Sequence, residues 1–270
     1  MYTLSSLAAH TYILAALVYL AFLVRQWSAL ATAGRLLVAG GLAMHAVALG
    51  LMLGAQGGAP AGLGQGFSLL AFLLLAIFLG LDLRYRRPVL GAFVTPLAVA
   101  VMVPVLLLHG AGAPLSPALR GPLLPVHVTI ALMGLAAFAV AAAVAVMYLV
   151  MERQVKAKHF GLLFARMPSL EFLDRLNRRL VIWGFIALSV TLVTGSMFAN
   201  HAAGLFWVWD VKQVVTVGAW VTFAALLNAR FFAGWQGRRV ALLTMAGFGL
   251  LLVSFLSSYA PQLSAGAALH

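Results

Sequence analysis

The chain has 270 residues, enough for one or two domains in a soluble protein. Hydrophobic residues make up 64% of it, charged residues 8%, and mean hydropathy is +1.07. Soluble domains carry about 25% charge, so this chain cannot cover itself in water and must be solvated by lipid. Cysteine is absent, which excludes disulfides and thiolate metal sites, so any metal-bearing group must be held by His, Met, carboxylate or backbone.

In chain order, apolar runs fall at about 7–24, 36–53, 67–83, 90–109, 124–151, 180–198, 214–232 and 240–259. Each is close to the roughly 20 residues a membrane-crossing helix needs, and the fifth is long enough to project beyond the bilayer. The expected fold is all-α: one polytopic bundle of eight transmembrane helices, with no separate soluble domain. No Lys or Arg precedes the first run, so it reads as a span and not as a cleaved leader.

The net charge of +12 is topology and not a nucleic-acid footprint. Of 17 basic residues, all but Arg120 and Lys212 lie in or beside alternate connections. By the positive-inside rule that side is cytoplasmic, which puts both termini outside in a cell inner (plasma) membrane. The basic connection between spans five and six contains Pro168-Ser169, then Leu170, Phe172, Leu173 and Leu176 at helical spacing. Residues 169–179 read as an interfacial amphipathic helix leading into span six, capped by Ser169 and meeting lipid phosphates through Arg175, Arg178 and Arg179. Asp82, near the cytoplasmic end of span three, is expected to pair with Arg84, Arg86 or Arg87. Tyr85 and Trp235 read as interfacial anchors.

The densest chemical feature is the outer segment 204–213, Gly-Leu-Phe-Trp-Val-Trp-Asp-Val-Lys-Gln. An aromatic belt accounts for tryptophans at an interface. It does not account for Asp210 and Lys212 among Trp207 and Trp209, in a loop with no other acid. Such a surface suits a large planar amphiphile presented at the membrane edge.

Histidine is the second signal. His127 lies about one turn inside the outer end of span five, and His45 in the outer half of span two. A lone membrane histidine is often a packing hydrogen bonder. Two at similar depth beneath an aromatic loop also suit haem iron, for which neutral imidazole is a good axial ligand. His201 is a third ligand or a surface residue, and His109, His159 and His270 read as peripheral.

These residues resemble the haem-handling superfamily of cytochrome c assembly proteins that includes CcsA, CcmC and CcmF. The likeness is carried by residues 168–180, Gly184-Phe185, Thr194-Gly195, His127, residues 136–156, residues 234–239 and the Trp207/Trp209/Asp210 cluster. The family's outer segment is close to WGxYWxWDPKE, and Trp207, Trp209, Asp210, Lys212 and Trp220 fall on it and the helix after it. In size and span number the chain is similar to the compact YpjD and HemX-like members. It departs from the pattern at Val211-Lys212-Gln213, where the usual acid is missing. It departs again at Asn228 and at Ser257-Ser258-Tyr259, where synthases carry histidines.

The resemblance implies a membrane haem-binding or haem-handling protein that presents or holds haem b at the outer face. Trp207, Trp209 and Trp220 would then form a platform against the porphyrin. Asp210 and Lys212 would orient it or meet its propionates, and His127 and His45 would be candidate iron ligands. Partners would be haem, membrane lipid and other cytochrome c assembly or haem-biosynthesis proteins, with no nucleic acid. The chain shows no catalytic constellation and is not expected to be an enzyme. The alternative is a HemX-like regulator or accessory protein of haem biosynthesis that keeps the fold without delivering haem.

Overall fold

A computed structural model describes residues 2–55, 63–107, 123–158, 161–204, 206–207 and 209–257. Its helices are α1 (Tyr2–Arg25), α2 (Ser28–Ala55), α3 (Leu63–Tyr85), α4 (Gly91–Leu107), α5 (Leu123–Lys156), α6 (Leu162–Arg166), α7 (Leu170–Ala203), α8 (Val211–Phe232) and α9 (Arg238–Ser257). A short 3-10 turn, Pro88–Leu90, leads into α4. Eight of these helices are long and apolar enough to cross a membrane, and they contain the eight apolar runs. Residues 108–109 and 258–259 of those runs lie outside the described residues, as do His109, Arg120, His159 and His270. The protein is a multi-pass integral membrane protein.

α5 organises the bundle. From Gly134 to Ala145 every residue is buried, which marks a helix surrounded by other helices and not one with a single core stripe. The run is rich in Ala and Gly, and small residues let neighbouring backbones approach closely in lipid. α7 packs along it. A Cβ on Gly184 would come 2.9 Å from the Phe138 ring, and one on Gly134 3.1 Å from Ala187. Gly247 of α9 gives similar room to Phe223, whose Cζ would stand 2.7 Å from an added Cβ. Phe138 and Phe223 stack between these glycine surfaces, with ring centroids 3.8 Å apart. Gly184→Leu is therefore expected to wedge α5 from α7 and cost about 1–3 kcal/mol through overpacking. The measurement is a lower thermal midpoint of intrinsic tryptophan fluorescence in detergent.

The segment expected as an interfacial helix is not separate in the structure. Residues 170–179 are the first turns of α7 and run unbroken into span six. Ser169 does cap it, its side chain accepting from the Phe172 N–H. Asp174 and Asn177 here bind other helices. Asp174 accepts from Arg230 and from the Gly237 N–H, while Asn177 donates to the Ala141 carbonyl at 3.0 Å and accepts from Arg230, with the Thr244 hydroxyl of α9 at 3.4 Å. This network ties α5, α7, α8 and α9 at the basic end. Arg179 donates to the Tyr85 hydroxyl, and Arg166 of α6 donates to the carbonyls of Leu23 and Val24 at the end of α1.

Asp82 does form an ion pair, but with Arg35 of α2 (Nε to Oδ2, 2.8 Å) and not with its own neighbours. Its side chain is fully buried, whereas Arg84, Arg86 and Arg87 lie at or just beyond the end of the same helix. A cation on a packed partner helix reaches a core-facing carboxylate. The local arginines do not.

Candidate functional site

The site lies at the opposite end of the bundle, on α5, α7 and α8. α7 ends at Gly204, whose φ of 69° is the left-handed conformation that glycine tolerates, with its N–H on the Asn200 carbonyl. Two residues on, the Phe206 carbonyl accepts from Ser196 Oγ at 2.7 Å. The start of the tryptophan segment is thereby pinned to the last turns of α7. Asp210 closes the segment as the N-cap of α8, its Oδ1 accepting from the Gln213 N–H at 2.6 Å.

His127 faces this segment from the first turns of α5. Its Nδ1 stands 2.8 Å from Thr194 Oγ1. The threonine hydroxyl has one hydrogen, and that hydrogen is directed at the Val190 carbonyl at 2.8 Å, with the Thr191 carbonyl at 3.3 Å. Oγ1 is therefore the acceptor and Nδ1–H the donor. This leaves Nε2 with its lone pair, and it has no hydrogen-bond partner among the described residues. An imidazole oriented through one nitrogen with the other free is the arrangement of a metal-ligating histidine. Gly195 makes the approach feasible, since a Cβ there would come 3.2 Å from His127 Cε1.

Two cavities meet at this ring. One, of about 210 Å³, reaches the tryptophan segment and is walled by Phe198, Phe206, Trp207 and Asp210. The other, of about 160 Å³, runs inward between α5, α7, α8 and α9. His127, Thr191, Lys212 and Thr216 line both. Lys212 makes no ion pair with a carboxylate among the described residues. The Trp207 indole N–H is buried and has no partner there either. A cation in a cavity with aromatic walls and a histidine lone pair suits a planar, anionic, metal-bearing ligand.

The structure brings together His127, Trp207, Asp210 and Lys212, with Trp209 at their edge. Trp209 is 83% exposed and meets Trp207 edge to face, centroids 5.7 Å apart at 75°. The pair is a corner and not a flat platform. Asp210 is spent on the helix cap, where the positive end of α8 holds it, so Lys212 remains as the group for an anionic substituent.

Trp220 stands away from the cluster. It stacks on Phe185 with centroids 5.4 Å apart, donates to Ser189 Oγ at 2.9 Å, and lines a separate groove with Trp235. Ten residues along α8 from Asp210, it is about 15 Å down the helix axis from the cap.

His45 lies elsewhere in the bundle, among α1, α2 and α3. Its Nδ1 is 3.1 Å from the Tyr12 hydroxyl and its Nε2 2.8 Å from Ser68 Oγ. It is 0% exposed and packs on Tyr12 and Phe72. Both its nitrogens are bonded inside α1, α2 and α3, and it does not line the cavities at His127. The side chain of His201 lies outside the described residues.

The sequence reading missed Thr191, Ser196, Phe206 and Thr216 as parts of the site. Thr194-Gly195 was the available signal: glycine in a helix interior costs about 1 kcal/mol and marks a close approach.

Comparison with known proteins bears on this geometry. Residues 61–263 match the family model described as Cytochrome C assembly protein. Among relatives, the cytochrome c biogenesis protein CcsA of Synechococcus sp. (strain CC9902) is 33% identical over 165 residues, 53% of this chain and 54% of that protein. The CcsA of Guillardia theta is 32% identical over 159 residues, 53% of each chain. That of Prochlorococcus marinus (strain MIT 9301) is 30% identical over 215 residues, 69% of each. The chain spans about half the length of the first of these curated relatives. The family match covers α3 to α9, which includes every element that builds the His127 site, and the chain belongs to the cytochrome c assembly protein family.

Proposed function

We propose that this protein handles haem in cytochrome c assembly, holding haem b at the outer face of the membrane in the cavity between His127 and the tryptophan segment. The observation that carries the reading is the His127 tautomer, with Nδ1–H on Thr194 and a free Nε2 lone pair at the wall of that cavity. Bound haem would supply an iron centre and a planar apolar ring. His127 would ligate through Nε2, Phe206 and Trp207 would cover the ring, and Lys212 would meet its carboxylate groups. Sidedness follows the fifteen basic residues grouped at the other end.

The reading is one of binding and presentation. Nothing in the site favours the HemX-like regulator, and the similarity found runs to CcsA proteins. The test is the visible spectrum of the detergent-solubilised full chain, oxidised and reduced, before and after adding haemin. A Soret band with reduced α and β bands is expected. A protein that stays colourless with haemin present defeats the proposal. Thr194→Val, which removes the acceptor that fixes the ring, is expected to weaken haem binding about 10–100-fold, read by haemin titration.

A further inference from the structure

The inner cavity has no role in the haem reading, and its shape and chemistry point elsewhere. It reaches from His127 down α5 to Phe138, eleven residues, or about 16 Å at 1.5 Å per residue. That is close to half of the roughly 30 Å hydrocarbon thickness of a bilayer, the depth of one leaflet. Its polar groups, Lys212, Thr191 and Thr216, stand at the end nearest the tryptophan segment. Leu132, Leu135 and Leu188 form the deeper walls. The Phe138 ring, stacked on Phe223, floors it.

Protein interiors rarely keep voids of this size. Water gains few hydrogen bonds against leucine and phenylalanine walls, so it does not stabilise the space. We infer that the inner cavity is a lipid-chain site: it takes one long hydrocarbon chain of a membrane amphiphile from the leaflet at the tryptophan end, the polar head staying at the rim. Two sources share this chemistry, a free fatty acid and a phospholipid chain. The site adjoins the haem site through His127, Thr191, Lys212 and Thr216, and it stands whether or not haem binds above it.

The full chain, purified in mild detergent, is incubated with oleic acid or with dioleoyl phosphatidylglycerol and weighed by native mass spectrometry. One retained molecule per protein is expected, and the probe that binds identifies the source. Occupancy is expected to fall about tenfold in both Ala131→Phe and Leu132→Trp, which fill the cavity. Stearic acid carrying a nitroxide deep in its chain provides a reading on the unmutated protein, where a strongly immobilised spectral component is expected. The proposal is overturned if neither probe is retained, if no immobilised component appears, or if folded cavity-filling variants keep full occupancy. It is also overturned if haemin expels the chain one for one, since the space then belongs to the haem.

Discussion

His127→Ala is expected to abolish the Soret band of the haemin-loaded protein, whereas His45→Ala keeps it. The two histidines sit at similar depth in the sequence, but their hydrogen bonds differ. His127 gives one nitrogen to Thr194 and keeps the other free beside Trp207, Phe206 and Lys212. Removing it deletes the only histidine ligand that the described residues offer in the cavity. His45 spends both nitrogens on Tyr12 and Ser68. Its loss leaves two buried hydroxyls without that partner, at about 1–3 kcal/mol for an unmet buried polar group. His45→Ala should therefore unfold at lower temperature yet bind haemin like the parent. Haemin titration and thermal unfolding, run on both variants, separate the roles. Loss of the band in His45→Ala with the fold intact would restore the shared-ligand reading.

Asp174→Ala is expected to give the largest loss of stability, about 3–5 kcal/mol, because it strands a buried cation. The Arg230 side chain is 4% exposed and meets the Asp174 carboxylate, with a second bond to the Asp174 carbonyl and a third to Asn177. Removing the carboxylate also strips the Gly237 N–H of its acceptor. The double variant Asp174→Ala/Arg230→Met should recover part of the loss, since an apolar side chain of similar length carries no charge to leave unpaired. Unfolding followed by tryptophan fluorescence would show it. Additive losses in the double variant would mean that the two residues do not stabilise each other. The haem spectrum should survive Asp174→Ala under folding conditions, because the network lies at the end of the bundle away from His127.

Much of the architecture was legible without coordinates. Spans of apolar residues answer to bilayer thickness, a one-dimensional constraint, so run length and basic flanks suffice to count them. The tryptophan segment was legible because Asp210 and Lys212 stand out where charge is scarce. The roles of individual polar side chains were not. Asp82 has three arginines close by in sequence and pairs instead with Arg35, on another helix. Trp220 fits the family pattern and still turns toward Phe185 and Ser189. Both outcomes depend on which face of a helix meets which neighbour, and a uniformly apolar span carries little periodicity to reveal that.

Composition determined that this protein lives in lipid, and the lengths of its apolar runs determined that it is helical and how many times it crosses. Those properties follow from the cost of exposing backbone and charge to hydrocarbon, which every residue pays independently of its partners. Tertiary structure decided which histidine keeps a free nitrogen, which acid caps a helix, and which tryptophan reaches the cavity. A hydrogen bond is settled by the second group that arrives, and for His127 that group is Thr194, sixty-seven residues away.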